Sequence, residues 1–460
     1  MAGQPTTRLQ VSGYRFLVRR MEHALLRGDI SMLHDPMRAQ ALSFIAGCVL
    51  AVVGLAICAI LAFLRPDTPV GDAAIVMSRG SGALYVRVGD TLHPVLNLAS
   101  AYLVTGSAAK PQAVNDAHIN SAKRGPLLGI PGAPVVVANP LSVNESAWTI
   151  CEDTTTTLIA GKTEGHDRGD RQPNILVTAR SESAATTYLL YDGQRAQVDL
   201  RNPAVVWALR LDGVEPRPVS RSLLDAIPEA PPIVVPHIPD GGSTSALRGM
   251  RVGAVVRVLR VDSDDFFVVM ADGVQRIGEV AANLVRSLDS QGSRGIPVVS
   301  PDAVSGLTVV DSLPVSTYPQ RAGATVGARD GGALCAEWLP GGPKVSVWTE
   351  DAMPAAGTAA VLAQADGEGA DIDSVAVPPG RSAYVRAASL VRGDGGGGPL
   401  YLVTDTGVLY GIRDEDTAKI LGLQGEPVTA PWPLLSRLPR GPELNRDSAL
   451  VARDVVDLPP

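Results

Sequence analysis

Residues Ala41–Leu64 read ALSFIAGCVLAVVGLAICAILAFL and carry no charged side chain. Twenty-four residues in a helix reach roughly 36 Å, and a bilayer core is about 30 Å thick, so this run can cross a membrane with some tilt. Arg38 precedes it, and Arg65 and Pro66 close it. Nothing later in the 460 residues approaches a second span. The chain therefore reads as a single-pass protein with a short head, 1–38, a transmembrane helix, 39–65, and a large polar tail. A cleaved signal peptide fits poorly, because its apolar core is only about 7–15 residues and its leading region is short.

Charge sets the orientation. Arg8, Arg15, Arg19, Arg20, Arg27 and Arg38 precede the span, against Glu22, Asp29 and Asp35. The matching stretch after it holds Arg65 and Arg79 with Asp67 and Asp72. The positive-inside bias puts the head in the cytosol and the tail on the extracytoplasmic side of the membrane. Cys48 and Cys58 lie within the apolar run, which leaves Cys151 and Cys335 in the tail. In an oxidising compartment two tail cysteines suggest one disulfide, whose very long loop would contribute about 4–5 kcal/mol by loop-closure entropy. Two unrelated thiols are the alternative. A zinc site lacks companion ligands at the usual spacing.

Composition excludes some partners and favours a fold class. The net charge is −7 and the tail carries no basic patch, which argues against nucleic acid. Aromatic residues are 4%, while Gly and Pro number 47 and 36. Short strands and many turns are expected, in an α+β, β-rich tail too long for one core.

In the head, Tyr14, Leu17, Val18, Met21 and Leu25 recur at helical spacing and form one apolar stripe. Ser12 is the expected N-cap and Gly28 the expected stop, with Asp35-Pro36 breaking the chain before the membrane. Such a helix can lie on anionic membrane lipid or dock into a groove of a cytosolic partner. The stripe is assigned to partner docking.

The tail repeats a pattern. Segments beginning YVRVGDTLHPV (Tyr85), YLLYDGQRAQV (Tyr188), FVVMADGVQRI (Phe267) and YLVTDTGVLYGI (Tyr401) each open on an aromatic and pass through a Gly/Asp turn. Each then enters a small-residue helical segment. Asp-Gly favours type I′ hairpin turns, so each segment reads as a β-hairpin followed by a helix. The expected repeats are 73–122, 173–225, 250–292 and 393–450 with the C-terminal segment. The inserts 125–172 and 293–385 would build a central domain, with Pro134–Ala138 and Lys344–Thr349 as strands. Pro228–Pro239 and Gly393–Pro399 read as loops.

No catalytic constellation appears. Gly161-Lys162-Thr163 resembles the end of a phosphate loop, but the required first glycine is Thr156, and no preceding strand is expected. The six histidines are scattered, with no H-E-x-x-H or G-x-S-x-G pattern. No catalytic, cofactor-binding or metal-binding residue is assigned.

Several long segments in order carry a resemblance. TTRLQVSGYRFLVRRMEHALLRGDISMLHDPMR (Thr6–Arg38), GALYVRVGDTLHPVLNLASAYLVTG (Gly82–Gly106), GPLLGIPGAP (Gly125–Pro134) and APWPLLSRLPRGPELNRDSALVARD (Ala430–Asp454) are similar to the EccB family. That family belongs to the mycobacterial ESX (type VII) secretion systems. The resemblance implies a cytosolic helix, one span, and four periplasmic repeat domains around a central β-rich domain, with Cys151 and Cys335 at the family's disulfide positions. It implies as partners the ATPase EccC, EccD, EccE and other EccB copies, with a mycosin protease as a further candidate. The expected function is a structural, non-enzymatic subunit that scaffolds the periplasmic part of the complex and couples it to the export motor. A periplasmic ATPase and a cell-wall-anchoring module are the alternatives.

Overall fold

The structure is a computed structural model that describes residues 7–28, 36–63, 72–163, 173–180, 186–261, 264–288, 295–340, 345–354, 358–367, 369–390 and 397–454. Two compact units result, one covering Met1–Pro69 and the other Val70–Pro460.

Among the described residues the first unit holds two helices. The head helix runs Arg8–Arg27. It starts one turn before the expected Ser12, because the Gln10 side chain accepts the Thr7 backbone N–H at 3.1 Å and closes the first turn. Gly28 ends it in a left-handed conformation, φ 63°, with its N–H donated to the Ala24 carbonyl. The second helix is Pro36–Phe63, apolar enough to span a membrane over Gln40–Leu61. Pro36 begins this helix rather than breaking the chain before it, since a first-turn position needs no N–H partner.

In the second unit one order of elements recurs. A strand leads into a hairpin, then a helix, then a return strand parallel to the first. Near the start these are Ile75–Ser78, Leu84–Val88 with Thr91–Val95, Leu98–Thr105, and Gln112–Val114. Next come Asn174–Ala179, Thr187–Tyr191 with Gln194–Val198, Pro203–Leu209, and Arg217–Val219. Then Val255–Val258, Asp265–Val269 with Val274–Ile277, and Glu279–Leu288 follow, with Val298 bridging parallel to Arg257 as the return. Last are Arg381–Ala388, Leu400–Val403 with Leu409–Ile412, Glu415–Ile420, and Val428–Pro431. These are called here the first to fourth hairpin units.

The turns form for different reasons. Asp192 and Gly193 both have positive φ, 47° and 71°, as a type I′ turn needs. Gly273 does not. A Cβ there would sit 2.1 Å from the Thr308 carbonyl oxygen, so this glycine permits close approach of a later segment instead of a left-handed turn.

A six-stranded sheet stands apart from the hairpin units. Its order is Ser346–Glu350, Ala333–Trp338, Trp148–Glu152, Thr156–Ala160, Ser374–Ala376 and Ala360–Val361. One face shares a core with the second and fourth units, through Trp148, Ile150, Leu158, Leu190, Val385 and Leu434. The other face carries Cys151, Ile159, Cys335 and Trp348. Alternation along Trp148–Glu152 sends successive side chains to the two cores, and all five are buried.

The hairpin units pack in pairs. The second and third share a core that includes Leu189, Leu209, Val268 and Leu284. The first and fourth share another, including Val86, Leu103, Leu402 and Leu444. In each pair a strap leaves the later unit and crosses to the earlier one. Beyond the return at Val298 of the third unit, Val309 bridges Val274, then Thr325–Val326 pairs with Asn174–Ile175 of the second. After the fourth, Arg440 and Leu444 bridge Leu409 and Ile412, then Ala452–Arg453 pairs with Leu127–Leu128 in the first unit's sheet.

Several expected boundaries move. Strand Arg381–Ala388 belongs to the fourth unit, so a division at 385 would cut it. Residues 295–326 form the strap rather than central strands. Pro134–Ala138 is not a strand. Its Pro134 and Val135 carbonyls instead accept the Ala99 and Leu98 N–H groups at the start of a helix, at 3.4 and 3.3 Å. Glu229–Ile233, expected as loop, is a strand on the rim of the second unit's sheet. The rim is where Pro231 and Pro232 can sit without an N–H to donate. Lys344 and most of Gly393–Pro399 lie outside the described residues.

Candidate functional site

Two features stand out as places where this molecule could act. The first is the apolar stripe of the head helix. Tyr14, Leu17, Met21 and Leu25 are 71%, 60%, 65% and 83% exposed, and Val18 is half-buried. The described residues leave no side chain of this helix buried. An uncovered stripe of this length is a surface for another molecule.

The second is the bridged sheet. Cys151 and Cys335 stand directly opposite in antiparallel register, with Cα atoms 4.1 Å apart, and are joined as a disulfide. They lie 184 residues apart in sequence, so the bridge closes around the second and third units. Trp348 is the neighbour of Cys335 on the next strand.

An ionic node that sequence reasoning missed lies beside the disulfide. Glu152, 1% exposed, accepts the Ser220 backbone N–H at 2.8 Å and an Arg180 N–H at 2.6 Å. Arg217 donates to the Glu152 and Gly332 carbonyls, at 3.3 and 2.6 Å. Burial pulls the Arg217 pKa below its ordinary value, and the nearby Glu152 and Asp153 carboxylates oppose that shift. The node ties the central sheet to the return strand of the second unit. The one local hint was a carboxylate closing the otherwise uncharged strand Trp148–Glu152.

A second node holds the second unit to the fourth. Asp225 pairs with Arg437 at 2.8 Å, Arg221 at 3.1 Å and Arg195 at 3.7 Å. Arg195 also lies over the Tyr188 ring, 5.3 Å from its centroid.

The chemistry of a catalyst is not assembled among the described residues. A strand, Thr156–Ala160, does precede Gly161-Lys162-Thr163, contrary to the expectation from sequence. The first glycine is still missing, because Thr156 is the opening residue of that buried strand. No group of three or more His, Cys, Asp or Glu side chains among the described residues could hold a metal ion. His93 places Nδ1 3.1 Å from the Pro126 carbonyl.

A single span, a tail braced by buried ion pairs and a disulfide, and a helix with an open apolar stripe define a membrane-anchored structural protein built for assembly. The chain belongs to the family described as type VII secretion system ESX-1, transport TM domain B, which it matches over residues 3–458. It is 36% identical to the ESX-3 secretion system ATPase EccB3 of Mycolicibacterium smegmatis, over 99% of this chain and 92% of that one. It is also 36% identical to the ESX-2 secretion system ATPase EccB2 of Mycobacterium tuberculosis, over 98% and 96%. Among solved structures it resembles a chain of an intact ESX-5 inner membrane complex, with TM-score 0.71, 31% identity, and 100% and 98% of the two chains covered. It also resembles a chain of the EccB3 dimer from the ESX-3 core complex, with TM-score 0.72, 34% identity, and 83% and 100% covered. This chain is a structural component of an ESX membrane complex, with one span in the inner membrane and its C-terminal region in the periplasm. It associates there with other components of the complex.

Proposed function

We propose that the tail is a scaffold of four repeat domains around a disulfide-bridged central domain, and that copies of the chain associate through it in the periplasm. The head helix couples this scaffold to the cytosolic export motor. Tyr14, Leu17, Val18, Met21 and Leu25 fill a groove formed by the ATPase EccC or its membrane neighbours EccD and EccE, and the tail gives a mycosin protease a place to attach. The exposed apolar stripe of the head helix carries the coupling reading. A helix of this size cannot bury such a stripe by itself, and its stability must come from packing.

Co-purification tests it. The variants Leu17→Ala and Met21→Ala should stay in the membrane, held by the span. Each should weaken recovery of EccC and EccD by a cost on the order of 2 kcal/mol or more, from lost packing. Normal assembly and secretion by both variants would refute the docking groove. Lys162→Ala should secrete normally, and a secretion defect with an intact complex would restore a nucleotide-dependent reading.

A further inference from the structure

The head helix has a second face. Arg8, Arg15, Arg19, Arg20 and Arg27 are all exposed. Among the described residues none of them forms an ion pair or a hydrogen bond to a carboxylate, and the helix holds one acidic residue, Glu22. Several arginines of the tail differ in this respect. Arg180, Arg195, Arg276, Arg381 and Arg437 each pair with a carboxylate of the tail.

Helical geometry arranges the five into two rows. At 3.6 residues per turn, Arg8, Arg15 and Arg19 fall within about 40° of one another, and Arg20 and Arg27 form a second row about 110° away. The middle of the apolar stripe lies opposite the gap between the rows. A surface met by both rows therefore leaves the stripe free for a different contact. Seven residues separate Gly28 from Pro36, where the membrane helix begins. Fully extended, they reach about 25 Å at most. The cationic face is thus tethered close to the cytosolic surface of the membrane, on a chain whose net charge is −7.

We propose that the two arginine rows rest on anionic phospholipid headgroups of the cytosolic leaflet, and so orient the apolar stripe away from the membrane. Guanidinium groups suit this contact because they donate in pairs to phosphate oxygens. Long side chains can also reach the headgroups without burying the helix. The proposal is independent of which protein covers the stripe.

The test is hydrogen exchange across residues 8–27 of the full chain in nanodiscs. Phosphatidylcholine discs are compared with discs that also contain phosphatidylglycerol. The anionic discs should slow exchange roughly tenfold or more, and about 1 M salt should abolish the difference, because the screening length there is about 3 Å. Each arginine at an anionic surface is worth about fivefold in the bound-to-free ratio. The variant Arg8→Gln with Arg15→Gln and Arg19→Gln should therefore lose roughly a hundredfold in that ratio and exchange markedly faster than wild type in anionic discs, while the same three changed to Lys should stay protected. Leu17→Ala with Met21→Ala should also stay protected. Equal protection in both disc types, or an unaltered triple Gln variant, would overturn the proposal. Protection that appears only after partner proteins are added would overturn it in favour of an acidic protein surface. Protection lost in the leucine–methionine variant but kept in the triple Gln variant would place the stripe itself in lipid, overturning this proposal and the docking groove together.

Discussion

The pair formed by the second and third hairpin units and the pair formed by the first and fourth have the same plan and different chain paths. The first of these pairs is made from nearly continuous chain between Asn174 and Val326. The other joins residues near Ile75 to residues beyond Arg381, across the whole of the first pair and the bridged sheet. Both bury a helix-against-hairpin core, and both are closed by a strap from the later unit. Sequence distance is therefore a weak determinant of which units pair, as expected if loop closure costs grow only logarithmically with length.

The straps are fastened by different chemistry. In the second–third pair, Gln275 is 3% exposed and grips the strap with both ends of its amide. It accepts the Ser312 and Leu313 N–H groups at 2.9 and 2.8 Å and donates to Asp311 and the Leu313 carbonyl at 3.0 and 2.9 Å. In the first–fourth pair, Arg413 reaches Glu443 and Asp447 at 3.3 and 2.7 Å on the open surface, while Leu444 is buried beneath.

The largest expected effect would not separate the pairs. Replacing Cys151 and Cys335 by Ser should cost up to about 4–5 kcal/mol in urea unfolding of the oxidised tail, because the bridge closes the longest loop. Its sheet shares a core with the second and fourth units, so both pairs should loosen together. Exchange that rises in one pair alone would show that the sheet does not couple them.

Next come two core truncations chosen to separate the pairs. Leu284→Ala and Leu444→Ala should each cost about 3 kcal/mol. The first should raise exchange in 187–209 and the second in 84–105, each leaving the other pair protected. A matching rise in both regions from either variant would make the tail one cooperative block.

The fastening chemistry gives a smaller and sharper contrast. Gln275→Ala leaves the buried Leu313 N–H and the neighbouring Ser312 N–H without their acceptor and should cost about 2 kcal/mol, with little dependence on salt. Arg413→Ala removes exposed, solvent-screened ion pairs and should cost clearly less than the Gln275 change, with that cost vanishing at high ionic strength. Equal costs would mean that the two straps are held alike after all.

The smallest effect is acid-dependent. The backbone and side chain of Ser142, then Arg381, hold the Glu145 carboxyl down from 4.5 to about 2. A depressed carboxyl contributes fully above its unfolded value and loses that contribution as pH falls toward the folded one. Arg381 opens the first strand of the fourth unit, so the link bears on the first–fourth pair. Melting temperatures of wild type and Glu145→Gln should converge as pH drops from about 4.5 to 2. Parallel curves through that interval would show the exposed contact contributes nothing.

Legibility followed locality. The hairpin at Asp192-Gly193 was readable because its turn chemistry sits in adjacent residues, and the head stripe because helical spacing repeats within a few turns. Gly273 showed the limit. The glycine is plain in the sequence, but its reason, the Thr308 carbonyl, comes from 35 residues away. The leading and return strands of each unit leave no such local signal, since parallel pairing puts no turn between partners. Glu152 could be seen as an odd charge, but its partners Arg180, Arg217 and Ser220 could not.

By itself the sequence determined the membrane span, its orientation, the apolar and cationic faces of the head helix and the turn at Asp192-Gly193. Each is decided by hydropathy, charge or backbone preference within a short window. Only the tertiary structure decided which hairpin units pair, where the straps cross, how the inserts share one bridged sheet, and which carboxylates are buried with which arginines. Those outcomes depend on matching surfaces and buried polar groups between segments up to hundreds of residues apart. Such matches are made in space and leave no periodic trace along the chain.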